Sequence, residues 1–382
     1  MKLVYINNGK STVFDSQVLA LLKYYTNNNF FEKVILLFGY KNQSEREWLS
    51  KKDTEGIVIY YYKTYPNYPF FNYLIQRNLT KAVKSISSDF SDFFFHIREE
   101  MTSYHFKKAI SNINIKYDRL LTDVRGVSIQ ETEEFSISNK VLKALKLRNY
   151  RLAFGDLSND LNISVVSKYF KKYMLSTNKF NKNSILINSC LVDESFRFDE
   201  TERIKIRKEL KIRNDEVLLI FTSGGTANWQ NNDMIIKLAD KGIKVLNLSK
   251  HEINYKNVIT KFVDYREVPN YLSAADIAFI WRDKSIVNKV ASPVKVSEYL
   301  ACGLPIIHNC TVELINNVTN NGKDALCVKK LDDLTLSKIK MVIHKVNRYK
   351  LSKKGQSLFG LKNLAKSYQS IYLKKRNIIK EL

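Results

Sequence analysis

Short apolar runs alternate with helical stretches along almost the whole chain, and this alternation limits the fold more than any other feature. In the first half the expected strands are residues 3–7, 33–38, 56–62, 92–97, 119–123, 164–166 and 184–187. The stretches between them, at 16–25, 71–85, 104–111, 131–147 and 166–175, carry helical patterns. The second half repeats the scheme. Its strands are expected at 217–221, 244–248, 258–263, 277–281, 305–308 and 325–329, and its helices at 199–210, 233–241, 268–274 and 295–301. Several runs, such as Phe93-Phe94-Phe95, are apolar throughout, as strands are when helices cover both sheet faces. Repeated β-α-β units require parallel sheets with right-handed crossovers. Two such blocks predict an α/β chain of two Rossmann-like doubly wound domains facing a cleft. The predicted domains are residues 1–190 and 191–360, with the boundary in 188–196. Two long basic helices, 334–348 and 361–382, close the chain, and the second is expected to cross back to the first domain.

Composition narrows the chemistry. Of 382 residues, 45% are hydrophobic, enough for two cores, and only 12 are Gly and 5 Pro, too few for long flexible linkers. The four cysteines (Cys190, Cys302, Cys310, Cys327) have no C-x-x-C spacing, and the five histidines no H-x-x-x-H. Neither a zinc site nor a disulfide framework is expected, only buried thiols in a reducing compartment. The apolar N-terminal run is too short for a signal peptide, and no stretch suits a membrane-spanning helix. A cytoplasmic protein is expected. Net charge is +24, and the region from Lys329 onward carries 15 Lys or Arg against 3 Asp or Glu. An anionic membrane surface, a nucleic acid or a merely solvated face each fits this excess. No nucleic-acid motif accompanies it.

The segment from Val290 to Asn309 concentrates chemistry. Ser292-Pro293 precedes a helix expected from Val294, with Ser as its cap and Pro in its first turn. The unpaired N–H groups of such a helix start form an anion site, and Lys295 adds a full charge there. Glu298, one turn on, shares that face, where a carboxylate suits a ribose diol. Gly303-Leu304-Pro305 then ends the helix and begins a buried strand. The same residues also fit an ordinary α/β turn in which Lys295 and Glu298 pair with each other. Upstream, Phe221-Thr222-Ser223-Gly224-Gly225 places small residues after a strand, where backbone can approach a diphosphate.

Polar clusters also follow strands in the first half. His96-Ile97-Arg98-Glu99-Glu100 and Asp123-Val124-Arg125-Gly126 lie at carboxyl strand ends, where open α/β sheets gather ligands. His96 suits acid or base work near neutral pH, and equally a satisfied core position. Asp123 with Arg125 equally suits a structural pair bracing the loop. Asn8-Gly9 after the first strand permits close backbone approach, and also suits any β-α turn. The aromatic-rich run from Tyr60 to Tyr73 fits a membrane-facing loop, a glycan-stacking surface or ordinary core.

The motif Ser292-Pro293-x-Lys295-x-x-Glu298-Tyr299-Leu300-Ala301-Cys302-Gly303-Leu304-Pro305 resembles the signature of family four (group one) glycosyltransferases of GT-B fold, especially capsule- and lipopolysaccharide-building members. Tyr271-Leu272-Ser273-Ala274-Ala275-Asp276-Ile277-Ala278 resembles the family's Ala-Asp step into a strand. Arg282 matches a basic position, and the Gly224-Gly225 stretch with Trp229-Gln230 resembles the glycine loop. Val166-Ser167-Lys168 and Val192-Asp193 with Phe196 resemble interdomain landmarks. Asp123-x-Arg125-Gly126 followed by Glu131 resembles a motif of the same subgroup.

The resemblance implies transfer of a sugar from a nucleoside diphosphate-sugar to a saccharide acceptor, lipid-linked at the inner membrane face, with retention. It implies donor binding by Gly224, Gly225, Arg282, Ser292, Pro293, Lys295 and Glu298. Catalytic roles fall on His96, Arg98, Asp123 and Arg125, and acceptor contacts on Asn8, Gly9 and Glu131. With cationic side chains on the diphosphate, no cofactor or metal is expected, and no Asp-x-Asp triplet occurs. The family's paired glutamates stand eight residues apart. Glu298 matches the second, and Val290 occupies the first position, so the donor-sugar contact does not carry over. A sugar-nucleotide epimerase and a non-catalytic sugar-nucleotide-binding subunit share this architecture.

Overall fold

The computed structural model describes residues 1–135, 139–223 and 233–373. The chain divides into two compact units, Met1–Ser189 together with the segment from Leu364 onward, and Cys190–Asn363.

The first unit holds a seven-stranded parallel sheet: β1 Lys2–Asn8, β2 Lys33–Tyr40, β3 Ile57–Lys63, β4 Phe93–Arg98, β5 Leu120–Val124, β6 Ile163–Val165 and β7 Ile185–Ile187. Their order is β3-β2-β1-β4-β5-β6-β7. The strand alternation distributes the core over both faces. Val4, Ile6, Ile35, Leu37, Phe95 and Ile97 pack on one face with Leu79, Val83 and Phe106. The other parity of β1 and β4 brings Tyr5 and His96 together, with ring centroids 4.4 Å apart. Here the C-terminal helix Leu361–Leu373 supplies the cover within this unit. Phe94 meets Tyr372 at 4.8 Å, and the Tyr25 hydroxyl donates to the Ala365 carbonyl at 3.0 Å.

The second unit holds a six-stranded parallel sheet: β8 Leu218–Ser223, β9 Lys244–Ser249, β10 Val258–Lys261, β11 Ile277–Ile280, β12 Ile306–His308 and β13 Ala325–Cys327, in the order β10-β9-β8-β11-β12-β13. Leu218, Ile220, Leu246, Ala278 and Ile306 pack with Tyr299, Leu300 and Phe359 on one face. Leu219, Phe221, Val245, Phe279 and Ile307 pack with Leu238, Ile339 and Val342 on the other. Buried Asp276, just before β11, accepts from Arg207 Nη1 (3.1 Å) and the Leu218 N–H (2.7 Å), fixing the start of β8.

Four helices escape the apolar periodicity: Gln43–Ser50, Ile286–Val290, Glu313–Val318 and Arg348–Phe359. They are short or strongly polar, so no apolar stripe announces them. Local caps do announce three of them. Asn42 Oδ1 accepts from the Glu45 N–H at 3.1 Å, Ser285 Oγ from the Asn288 N–H at 3.2 Å, and Asn347 Oδ1 from the Lys350 N–H at 2.9 Å. The helix expected at 131–147 is instead two, Ser128–Phe135 and Lys140–Leu157. The expectation of four separate thiols is revised as well. Cys310 and Cys327 meet with Cα atoms 5.6 Å apart, the separation a disulfide spans, while Cys190 and Cys302 are free and buried. The pairing crosses from β12's end to β13, a proximity that spacing along the chain does not reveal. No described helix is long and apolar enough to cross a membrane.

Candidate functional site

In the second unit the strand order reverses between β8 and β11, and open α/β sheets bind ligands outside the carboxyl ends of strands at such a point. Gly224, Gly225, Trp229 and Gln230, just beyond β8, lie outside the described residues. Arg282 follows β11 and is half-buried. Its backbone is clamped by Asn309, which donates Nδ2 to the Arg282 carbonyl at 2.6 Å and accepts from its N–H at 3.4 Å. Burial pushes the Arg282 guanidinium below its usual range.

The helix Val294–Ala301 presents the next two groups. Lys295 Nζ stands 5.1 Å over the Phe221 ring, at the end of β8. Burial, with Arg282 adding repulsion, pushes the Lys295 ammonium down to about 7, against the pull of Glu298. Glu298 is 7% exposed and accepts from the Tyr265 hydroxyl at 3.2 Å. Burial raises its carboxyl to about 7, opposed by Tyr265 and Lys295. Two cations and one carboxylate thus converge where a sheet of this topology takes its ligand.

The expected Ser292 cap is corrected. Pro293 is the cap residue of this helix, and no side chain caps it. The Ser292 hydroxyl instead accepts from the Cys190 N–H at 3.1 Å, and its carbonyl accepts from the Cys190 thiol at 2.7 Å. Proline's fixed φ admits it as a cap in extended ψ, which displaces Ser292 to the loop. The helix end follows the sequence: Gly303 has φ +69°, and the Leu304 N–H reaches the Tyr299 carbonyl at 2.8 Å.

In the first unit the reversal falls between β1 and β4. Asn8 ends β1, Gly9 follows with φ +87°, and the Asn7 amide donates to the Gly9 carbonyl at 2.7 Å. His96, Arg98, Asp123 and Arg125 form one cluster. Asp123 is 1% exposed. It lies 3.4 Å from Arg125 Nη1, 3.7 Å from His96 Nε2 and 3.9 Å from Arg98 Nη1, and accepts from the Tyr368 hydroxyl at 3.1 Å. Burial pushes its carboxyl up, but Arg125, His96 and Arg98 together hold it well below the usual range.

His96 is fully buried, and its Nδ1 lies 2.6 Å from the Tyr372 hydroxyl. Burial lowers its proton affinity despite Asp123. A side chain so enclosed braces the cluster rather than meeting a ligand in this conformation, which revises its expected acid-base role. Exposed Glu131 does not join the cluster, and its carboxylate folds against Gly126.

No protein-family model matches the chain, and no curated protein matches it in sequence. Solved structures do match in fold. A glycosyltransferase from Rickettsia africae superposes with TM-score 0.70 at 14% identity, over 98% of both chains. Sucrose-phosphate synthase from Thermosynechococcus elongatus gives 0.69 at 11% identity, and Anabaena Alr3699/HepE in complex with UDP-glucose gives 0.67 at 12% identity, each over 100% of both chains.

The chain has the GT-B glycosyltransferase fold.

Within this GT-B fold, several site residues were not singled out by sequence. Asn309 follows β12 and Lys41 follows β2, so the rule of carboxyl strand ends was sufficient to flag both. Tyr265 has no such signal, because its loop reaches Glu298 only through the tertiary fold. The same holds for the helix Arg348–Phe359, which fixes the Val294–Ala301 helix. Ser352 Oγ donates to the Ala301 carbonyl at 2.6 Å and Arg348 Nη2 to that of Cys302 at 2.9 Å. A Cβ on Gly355 would lie 2.3 Å from the Leu300 carbonyl carbon, so only glycine allows this approach.

Proposed function

We propose that this protein is a glycosyltransferase that moves a sugar, hexosyl or N-acetylhexosaminyl, from a nucleoside diphosphate-sugar to a saccharide acceptor in surface-polysaccharide synthesis. The convergence of Arg282, Lys295 and Glu298 at the β8/β11 reversal carries the reading. Arg282, Lys295 and the uncapped start of the Val294–Ala301 helix take the diphosphate, together with the backbone at Gly224 and Gly225. Glu298 accepts the ribose hydroxyls. The acceptor lies on the first unit near Arg98 and Arg125, which Asp123 positions. In the step, the acceptor oxygen bonds to the anomeric carbon and the bond from that carbon to the diphosphate oxygen breaks. The nucleoside diphosphate leaves with the electron pair, and the hydroxyl proton passes to it. The fixed cations stabilise the charge growing on the leaving group. Retention of configuration is part of this proposal.

An acceptor carried on a lipid fits the first unit's surface. Phe70 and Tyr73 are 58% and 71% exposed, and Arg77, Lys81 and Lys84 are exposed along the helix Asn72–Ile86 at the spacing of one face. We assign this face to the anionic inner surface of the plasma membrane, with binding to phosphatidylglycerol vesicles that weakens as salt rises.

A thermal-shift screen of UDP, GDP, CMP, ADP and their sugars tests the donor assignment, followed by release of free nucleoside diphosphate. Release that needs acceptor supports a transferase. Conversion of the nucleotide-sugar to its epimer without acceptor supports the epimerase reading, and binding without turnover supports a non-catalytic subunit, for which Val290 at the position of the family's first glutamate is the argument. Unchanged affinity and turnover in both Lys295→Ala and Glu298→Ala would remove the donor site assigned here.

A further inference from the structure

The carboxyl ends of β1 to β4 open on a cavity of about 230 Å³ within the first unit. Four consecutive sheet neighbours contribute to it: Asn8 ends β1, Lys41 follows β2, Tyr65 follows β3 and Glu99 follows β4. The helix Lys140–Leu157 adds Lys146 and Tyr150.

The cavity holds polar groups that the fold leaves unsatisfied. Asn8 Oδ1 is buried without a hydrogen-bond partner, as is Asn67 Oδ1, whose amide Nδ2 donates to the Tyr150 hydroxyl at 3.2 Å. Leaving a buried acceptor unpaired is costly, and both of these acceptors belong to residues that line one cavity. Glu99 adopts φ +72°, ψ 142°, a strained conformation for a residue with a side chain, and its N–H is tied to the Asp123 carbonyl at 2.9 Å. The buried Asp123 cluster therefore holds Glu99 at the cavity.

The charges are unbalanced. No ion pair among the described residues takes up the Lys41 ammonium, the Lys146 ammonium or the Glu99 carboxylate. Lys146 Nζ rests 5.7 Å over the Tyr150 ring. Burial and the nearby Lys41 lower its proton affinity, against the pull of Glu131, and an anion placed between the two lysines relieves their repulsion. Tyrosine faces beside amides and a carboxylate suit a sugar ring, whose C–H faces stack and whose hydroxyls donate. A neutral sugar gives the two ammonium groups nothing to neutralise.

We propose that this cavity binds the acceptor saccharide and selects one bearing an anionic substituent, a carboxylate or a phosphate, held between Lys41 and Lys146. Asn8, Asn67 and Glu99 accept hydrogen bonds from its hydroxyls. The proposal rests on the glycosyltransferase reading for the word acceptor, and its binding chemistry is separable from it.

Saturation-transfer NMR on the full chain, sensitive to millimolar binding, tests it with matched pairs: methyl glucuronide against methyl glucoside, and glucose 6-phosphate against glucose. One acidic member binds at least about tenfold more tightly than its neutral match, the effect of a charged hydrogen bond, and which pair shows it names the anion. Lys41→Met and Lys146→Met each remove most of this preference, and Lys146→Arg keeps it. Equal binding of acidic and neutral members, binding of neither, or a preference that survives both Met variants overturns the proposal. UDP-glucose affinity reports separately on the donor site. If it is intact while the preference is absent, this proposal fails alone; if no nucleotide-sugar binds, the glycosyltransferase reading fails.

Discussion

The Tyr299 hydroxyl sits 2.8 Å from Thr222 Oγ1 and accepts the Thr222 N–H at 3.1 Å. One phenol thereby ties the helix bearing Lys295 and Glu298 to the end of β8. Tyr299→Phe leaves the Thr222 N–H buried and unpaired. It is expected to destabilise the second unit by about 1–3 kcal/mol and to weaken nucleotide-sugar binding. Urea unfolding and calorimetric titration of the same sample check both effects. Unchanged affinity with reduced stability would confine Tyr299 to a structural role.

Gly355 tests the clamp from the other side. Alanine there meets the Leu300 and Ala301 backbone, which has no free rotor to move aside. Gly355→Ala should cost about 1–3 kcal/mol, the range for overpacking, and displace the Val294–Ala301 helix. Gly242→Ala is the contrast. Unlike Gly355 it sits at positive φ, and nothing lies within 4 Å of its Cβ position, so only backbone strain is added. Equal loss in the two variants would count against close helix packing.

The pH dependence of donor binding follows from Lys295. With its ammonium at about 7 in the free site, a diphosphate raises it, so binding takes up a proton. The Lys295 contribution to affinity for a nucleoside diphosphate-sugar, whose phosphates do not titrate in this range, should be full below pH 7 and be lost as pH rises above it. Glu298, also near 7, weakens binding on the acid side, where it loses the charge that accepts ribose hydroxyls. A bell-shaped profile is expected by calorimetry. In Lys295→Arg, which stays charged, the alkaline limb should vanish.

Two buried histidines set an acid limit on stability. His105 and His308 are 1% and 2% exposed, and burial lowers each to about 4. Neither ring nitrogen of His105 has a partner, nor has His308 Nδ1. A histidine held neutral in the fold but free to protonate when unfolded gives stability that is full above about pH 6.5 and lost as pH falls toward 4. Each contributes a slope of up to about 1.4 kcal/mol per pH unit. Urea unfolding at pH 7.5, 5.5 and 4.5 should show a shallower loss for His105→Leu and His308→Leu. An unaltered slope would assign acid sensitivity to other groups.

The sequence by itself determined the two parallel sheets, because strand period and helical stretches are local patterns set by which residues must be buried. It also placed Asn8, Arg98, Arg282, Lys295 and Glu298 near the carboxyl ends of strands, since each is fixed by its own strand or helix. The tertiary structure alone decided what those residues touch. Nothing along the chain indicates that Tyr265 reaches Glu298, that Tyr372 seals His96, or that Cys310 meets Cys327. The cavity of Asn8, Lys41, Tyr65, Glu99 and Lys146 draws on four strands and a helix, and became visible only once sheet order made those ends neighbours. Ser292 shows the limit most directly. Its type suits a helix cap, yet its hydroxyl serves Cys190, because a hydrogen bond goes to the partner the folded chain brings within reach, and sequence spacing does not measure that distance.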